Sequence, residues 1–472
     1  MTPILLLEIN EVPWRLIDRY IDCPEYLHIR AFFAGSHHFT SRATDTGELS
    51  PWVTWPTLHR GMNNEQHGIR NLGQDPSTFK GKPIWQDVRD ARGSIGICGS
   101  MQSWPPIEPG PGGFYIPDTF AHDEACIPAY LNPLQAFNLD QVRNNARVVN
   151  DALPPARNKL ALVFALMRSG IRARTIARIM AQLLGERFDS NLRVRRPIYQ
   201  TVLFWDVFRK QFNAASPPAL STFFTNHIAG VMHRYWCDVF PEDFPDRKPS
   251  IGESQEPLMR FALRVLDQIL ADVMAWARAN PDLVVIFASS MGQDAVHRDY
   301  HEGVEILVNE LPVLMQHAGL GANDYHPLLA MVPQIAVEVS NSVKRKTAKS
   351  LLQSAVAGNG ERFINVQEDG IGLSITVATP SLAAIKTDCV RIGSQVLTWN
   401  AAGFRQEVID PGTGYHIPEG TLLVYTSANG ATPLLQDRLA VRADKLKAWM
   451  LDIIHRGPSQ IVELSRLTQG GR

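Results

Sequence analysis

The chain has 472 residues, 46 basic against 47 acidic side chains, and a formal net charge of −1. That balance argues against a dedicated nucleic-acid binder, which carries a basic excess. Hydrophobic content of 45% and charged content of 20% are those of a globular protein, and the length implies one large domain with an insertion, or two domains.

In chain order, the first predicted element is the apolar run Ile4-Leu5-Leu6-Leu7, which ends at Glu8-Ile9-Asn10-Glu11. It is too short for a leader peptide, has no basic start, and reads as a strand buried on both faces. Similar runs follow at Ser94–Cys98, Ser221–Phe224 and Leu283–Ala288. Between them lie helical patterns such as Leu258–Ala279, and this alternation predicts a doubly wound, mostly parallel α/β sheet with helices on both faces. In such sheets the ligand crevice lies beyond the carboxyl ends of the strands.

Residues 126–218 break the rhythm. Leu160–Leu184 is helical in pattern, and residues 157–196 hold ten basic side chains against Glu186 and Asp189, a net charge of +8. One reading is a solvated helical face. The other is a cap presenting positive charge, including Arg172 and Arg178, to an anionic substrate or a membrane surface. After Gln334, short strands such as Gly372–Val377 and Gln395–Asn400 alternate with turns, and a helix is predicted over Arg442–His455. No apolar run reaches the roughly 18 residues of a membrane span. The five dispersed cysteines form no CxxC pair, which predicts reduced thiols and a cytoplasmic protein.

Several motifs recur in a recognisable order. Ser50-Pro51-Trp52-Val53-Thr54-Trp55-Pro56-Thr57 runs on to Gly61 and His67-Gly68-Ile69. Pro83-Ile84-Trp85, Gly93–Ile97 and Met101–Pro106 follow, then His233-Arg234-Tyr235-Trp236, Ala288–Gly292, Asn309–Leu320 and Tyr415–Leu423. In this order they resemble the alkaline phosphatase superfamily, nearest its type I phosphodiesterase and nucleotide pyrophosphatase branch. The resemblance implies an alkaline-phosphatase-like core over 1–125 and 219–334, with a basic helical insertion over 126–218. It also implies a strand-rich segment over 335–440 that returns to the core, and a C-terminal helix and tail over 441–472.

The same resemblance implies Thr54 as the nucleophile at a helix start, with Thr57 as the alternative. A helix N-terminus offers free N–H groups and a positive dipole end to a phosphate. The family's two metals rest on aspartates and histidines, and here the aligned positions are Asn10, Ala229, Ser290 and Met291. Only Thr54, His233 and His416 are kept, so the metal site is degenerate. An amide, a hydroxyl and a thioether form a poor zinc set, whereas His233 and His416 hold one divalent metal such as zinc if a third ligand joins them.

Candidates for that ligand are His227, Asp238 and the cluster His297-Arg298-Asp299-Tyr300-His301-Glu302. Strand alternation puts Glu8 on the face of Asn10 and Glu11 on the opposite one, making Glu8 the expected replacement carboxylate. Thr57, Arg234, His297, Arg298 and His301 are the expected substrate contacts. Three functions stay open: a divergent phosphate-ester hydrolase or transferase, an inactive binding or scaffold protein, and a metal-independent enzyme. The first takes a small phosphate-bearing substrate, glycan-, nucleotide- or lipid-linked.

Overall fold

A computed structural model describes residues 1–143, 166–245, 256–297, 304–328, 330, 334–378, 388–408, 412–427 and 434–467. They form two units, one of residues 1–70, 79–296 and 412–472, the other of residues 71–78 and 297–411.

The first unit is built on an eight-stranded sheet. Its strands are β1 (Ile4–Ile9), β2 (Ser36–Arg42), β3 (Ile95–Cys98), β4 (Phe114–Ile116), β5 (Leu220–Thr225) and β6 (Val284–Ala288). After β7 (Gly292–Ala295) and β8 (Gly414–Ile417), which pair with each other, β9 (Glu419–Tyr425) and β10 (Leu439–Arg442) complete it. The order is β10-β2-β9-β6-β1-β5-β3-β4. Strands β6, β1, β5, β3 and β4 are mutually parallel, and β9 is the one strand opposing its neighbours.

Burial on both faces explains the unbroken apolar sequence of β1. Leu5, Leu7 and Ile9 join a core with Phe223, Phe287 and the inward residues of helices α4 (His227–Val239) and α5 (Glu256–Ala279). Glu8 points the other way, toward His59 of helix α1 (Pro51–Arg60). The sheet is thus covered on both faces, as the alternation of strands and helices implies.

Helices α2 (Ala173–Gly185) and α3 (Arg196–Gln211) come from the basic segment, and α6 (Ala443–Arg456) follows β10. Gly170, at φ 123°, separates α2 from the short helical stretch before it, so the described part of the predicted Leu160–Leu184 helix is interrupted. The second unit is strand-rich. It holds a four-stranded sheet that includes Ile335–Glu338, Ile364–Asp369 and Gly372–Val377, with Cys389–Ile392 and Gln395–Thr398 in another.

Candidate functional site around Glu11, His233 and His416

Three parallel strands end side by side and deliver polar residues to one edge: β1 into Asn10 and Glu11, β5 into Asn226 and His227, β6 into Ser289, Ser290 and Met291. Ser289 pins this edge, its hydroxyl donating to the Ile9 carbonyl at 2.5 Å and accepting from the Val12 N–H at 3.2 Å.

Glu11 is the centre of the cluster, and here the structure overturns the expectation from strand alternation. Strand β1 stops at Ile9, and Glu11 lies in a turn with φ 61°, a left-handed conformation uncommon for a non-glycine residue. The alternating rule therefore ends two residues too early to place it. Its buried carboxylate takes His233 Nε2 on Oε2 at 2.8 Å and His416 Nε2 on the same oxygen at 3.4 Å. Asn10 donates to Oε1 at 2.7 Å, and Gln293 also donates to Oε2. Burial alone would raise the Glu11 carboxyl, but the two imidazoles, by charge and by hydrogen bond, hold it well below the ordinary carboxylate range.

Each histidine is aimed by backbone. His233 Nδ1 faces the Gly414 carbonyl at 3.0 Å and donates to it, which turns Nε2 toward Glu11. A side chain at Gly414 would meet the Met232 carbonyl at 2.6 Å, so only glycine lets β8 approach α4 this closely. The helix kinks at Tyr235, where the His233 carbonyl accepts from Thr413 N at 2.8 Å and Thr413 Oγ1 accepts from Cys237 N at 3.1 Å. His416 lies in β8 opposite Gln293 of β7, so one hairpin-like pairing sets both Glu11 partners. Burial lowers the His416 imidazole, but Glu11, with smaller help from the Leu49 backbone and Glu48, brings it above its ordinary value.

Glu8, the carboxylate expected in this role, is elsewhere. It meets His59 Nε2 at 2.7 Å, both side chains are buried, and Glu8 Oε2 and His59 Nδ1 have no hydrogen-bond partner among the described residues. The other proposed third ligands do not join either. His227 is committed to Thr225 Oγ1 at 2.7 Å and the Ala262 carbonyl at 3.2 Å, and Asp238 is outside the cluster. His297 is exposed, while Arg298 to Glu302 lie outside the described residues.

Thr54 and Thr57 differ in their surroundings. Thr54 Oγ1 is fully buried, 2.8 Å from Ser290 Oγ and 3.3 Å from the Ser50 carbonyl. Helix α1 begins at Pro51, so Thr54 is its fourth residue and its N–H already bonds the Ser50 carbonyl at 2.9 Å. The expected free N–H at this threonine is therefore spent inside the helix, four residues on from the N-cap Ser50. Thr57 Oγ1 donates to Asp45 Oδ1 at 2.5 Å. His67 Nδ1 accepts from Ile69 N, so Nε2 carries the proton and donates to Thr57 at 3.1 Å. Burial pushes Asp45 up to about 6 and His67 down to about 4. Arg234, half-buried next to His233, follows it into the kink.

Among the described residues, Glu11, His233 and His416 are the one group of three metal-ligating side chains whose donor atoms lie within 4.8 Å of one another. Two imidazoles and a carboxylate, held by Gly414, Asn10 and Gln293, suit one tetrahedral cation with an open position. Among the described residues, Asn10, Ser290 and Met291 form no second group of this kind. Asn10 donates to Glu11 and to Asn226 at 2.7 Å and accepts from Trp55 at 2.9 Å, Thr54 and Ser290 bond each other, and Met291 is apolar and buried.

No family model and no curated protein matches the chain. Solved structures similar to it include the following three. Murine ectonucleotide pyrophosphatase/phosphodiesterase 5 is 12% identical with a TM-score of 0.43, over 96% of this chain and 95% of that one. The human ectonucleotide pyrophosphatase/phosphodiesterase 5 is 12% identical at 0.43, over 98% and 99%. Phosphonoacetate hydrolase from Sinorhizobium meliloti 1021, in complex with phosphonoformate, is 10% identical at 0.43, over 96% of each chain.

Proposed function

We propose that the chain is a phosphate-ester hydrolase or transferase working at one cation site, with Glu11, His233 and His416 as its ligands and Thr54 as nucleophile. The observation that carries this reading is the Glu11 carboxylate itself, a buried anion on which both retained histidines converge. It supplies one carboxylate where the resemblance has three replaced, at Asn10, Ala229 and Ser290. A zinc ion bound there would polarise a phosphoryl oxygen as a Lewis acid.

The chain's own residues do the rest. Asn10 and Gln293 fix the Glu11 carboxylate, Gly414 fixes the His233 ring, and Ser290 orients the Thr54 hydroxyl. Trp55 ties the two halves together, since its indole N–H reaches Asn10, whose amide holds Glu11. The Thr57 hydroxyl bonds Asp45 and His67 instead, neither of which holds Glu11 or its histidines. Arg234, and from the sequence alone Arg298, supply positive charge for a glycan-, nucleotide- or lipid-linked phosphate.

A second reading has its own support. The Thr54 hydroxyl is fully buried and both its bonds are internal, which suits an inactive protein that binds an anion without turning it over. Turnover of aryl phosphate monoesters, diesters and sulfates, with and without zinc or manganese, separates the two. Zinc-dependent turnover abolished in Thr54→Ala supports the enzyme. Zinc binding without turnover of any of these supports the second reading.

A further inference from the structure

Helix α2 buries one side and leaves a second apolar side in solvent. Thr175, Ile176, Ile179, Gln182 and Leu183 face inward or are half-buried. At 100° per residue, Ala173, Ala177, Met180, Ala181 and Leu184 form one stripe on the outer side. Met180 is 53% exposed, Leu184 52%, and Phe188, in the turn after the helix, 92%. Exposed large apolar groups gathered in this way mark a contact surface.

The stripe is bordered by positive charge. Arg174 and Arg178, one turn apart, flank it, are exposed, and form no ion pair among the described residues. With Arg172 they line a cavity of about 300 Å³ whose wall includes Trp205, Ile269 and Asp272. The acids nearby are already neutralised: Asp206 by Arg172, Asp272 by Arg209, Glu186 by Arg196. Residues 166–196 carry eight arginines against Glu186 and Asp189, a net charge of +6.

We propose that this face docks the protein peripherally on an anionic phospholipid bilayer. Met180, Leu184 and Phe188 enter the headgroup–acyl boundary, and Arg174 and Arg178 meet the lipid phosphates. Charge complementarity selects this occupant. A stripe edged by the exposed Arg174 and Arg178 repels a second copy of itself, whereas it matches an acidic interface. The 300 Å³ cavity that Arg172, Arg174 and Arg178 line is large enough for a headgroup phosphate.

Co-sedimentation of the full chain with vesicles tests this. Binding to vesicles of phosphatidylcholine with phosphatidylglycerol, weakened by salt and absent from phosphatidylcholine alone, is the expected result. Removing two arginine charges in Arg174→Ala/Arg178→Ala should weaken binding about 30-fold, and Phe188→Ser by at least about 10-fold. All these positions are exposed, so circular dichroism should be unchanged. Equal binding to neutral vesicles would overturn the proposal. So would arginine-dependent binding of inorganic phosphate without vesicle binding, or a dimer of the chain that Phe188→Ser dissociates.

Discussion

Replacing Glu11 by Gln keeps the shape of the side chain and removes its charge. Oε2 sits 2.8 Å from His233 Nε2 and 3.4 Å from His416 Nε2, in a site where the carboxylate is buried. Breaking a buried charge pair costs about 3–5 kcal/mol. His233 is 31% exposed, and water will answer part of that loss, so about 2–3 kcal/mol is expected for metal-free protein near pH 6. The penalty should also depend on pH. Glu11, held low by the imidazoles, stays ionised above about pH 4. His416 is raised, so its contribution is fully present below its unfolded pKa of about 6.5 and is lost as pH rises through its folded value. The difference between wild type and Glu11→Gln should therefore be largest from about pH 5 to 6.5 and shrink as pH rises above that range. Urea unfolding followed by tryptophan fluorescence, with a chelator present, measures it at each pH. A penalty below about 0.5 kcal/mol, or one that does not change with pH, would refute the reasoning.

Other variants probe the surroundings. Thr54→Ala should lower turnover of the best aryl phosphate by about 100-fold or more, with stability changing by only about 1 kcal/mol; Thr57→Ala should instead cost stability and spare turnover. Glu8→Gln keeps an acceptor for His59 while removing the carboxylate, and should leave metal content unaltered. His227 is pushed down to about 4 by burial. A histidine with a depressed folded pKa binds protons more readily unfolded, so stability should fall by up to about 3 kcal/mol between about pH 6.5 and 4. His227→Gln should flatten that slope, and an unchanged slope would contradict the assignment.

The sheet was legible because burial on both faces forces unbroken apolar runs, and β1, β3, β5 and β6 all appear where those runs lie. The identity of the third residue beside His233 and His416 was not legible. Period-two alternation is a property of a strand, and Glu11 sits past the end of one, rotated by a positive φ that no local residue pattern announces. The same alternation did place Glu8, though on the face of α1, where His59 takes it. The signal that could have singled out Glu11 is the strand-ending string Glu-Ile-Asn-Glu at the carboxyl edge of a parallel sheet. Thr54 was visible as a motif, but its depth in the helix was not, because that depends on the helix starting at Pro51. The exposed stripe on α2 is likewise a property of packing. Arginine spacing suggested a charged face, and only the half-burial of Ile176 and Ile179 beside the buried Thr175 and Gln182 shows which apolar residues are left outside.

Elemental analysis of protein equilibrated with zinc and then desalted tests the central claim most directly. The account predicts one ion per chain in the wild type and in Glu8→Gln, and loss of that ion in Glu11→Ala and His233→Ala. A wild type that retains no ion, or an ion retained after Glu11→Ala, would contradict it.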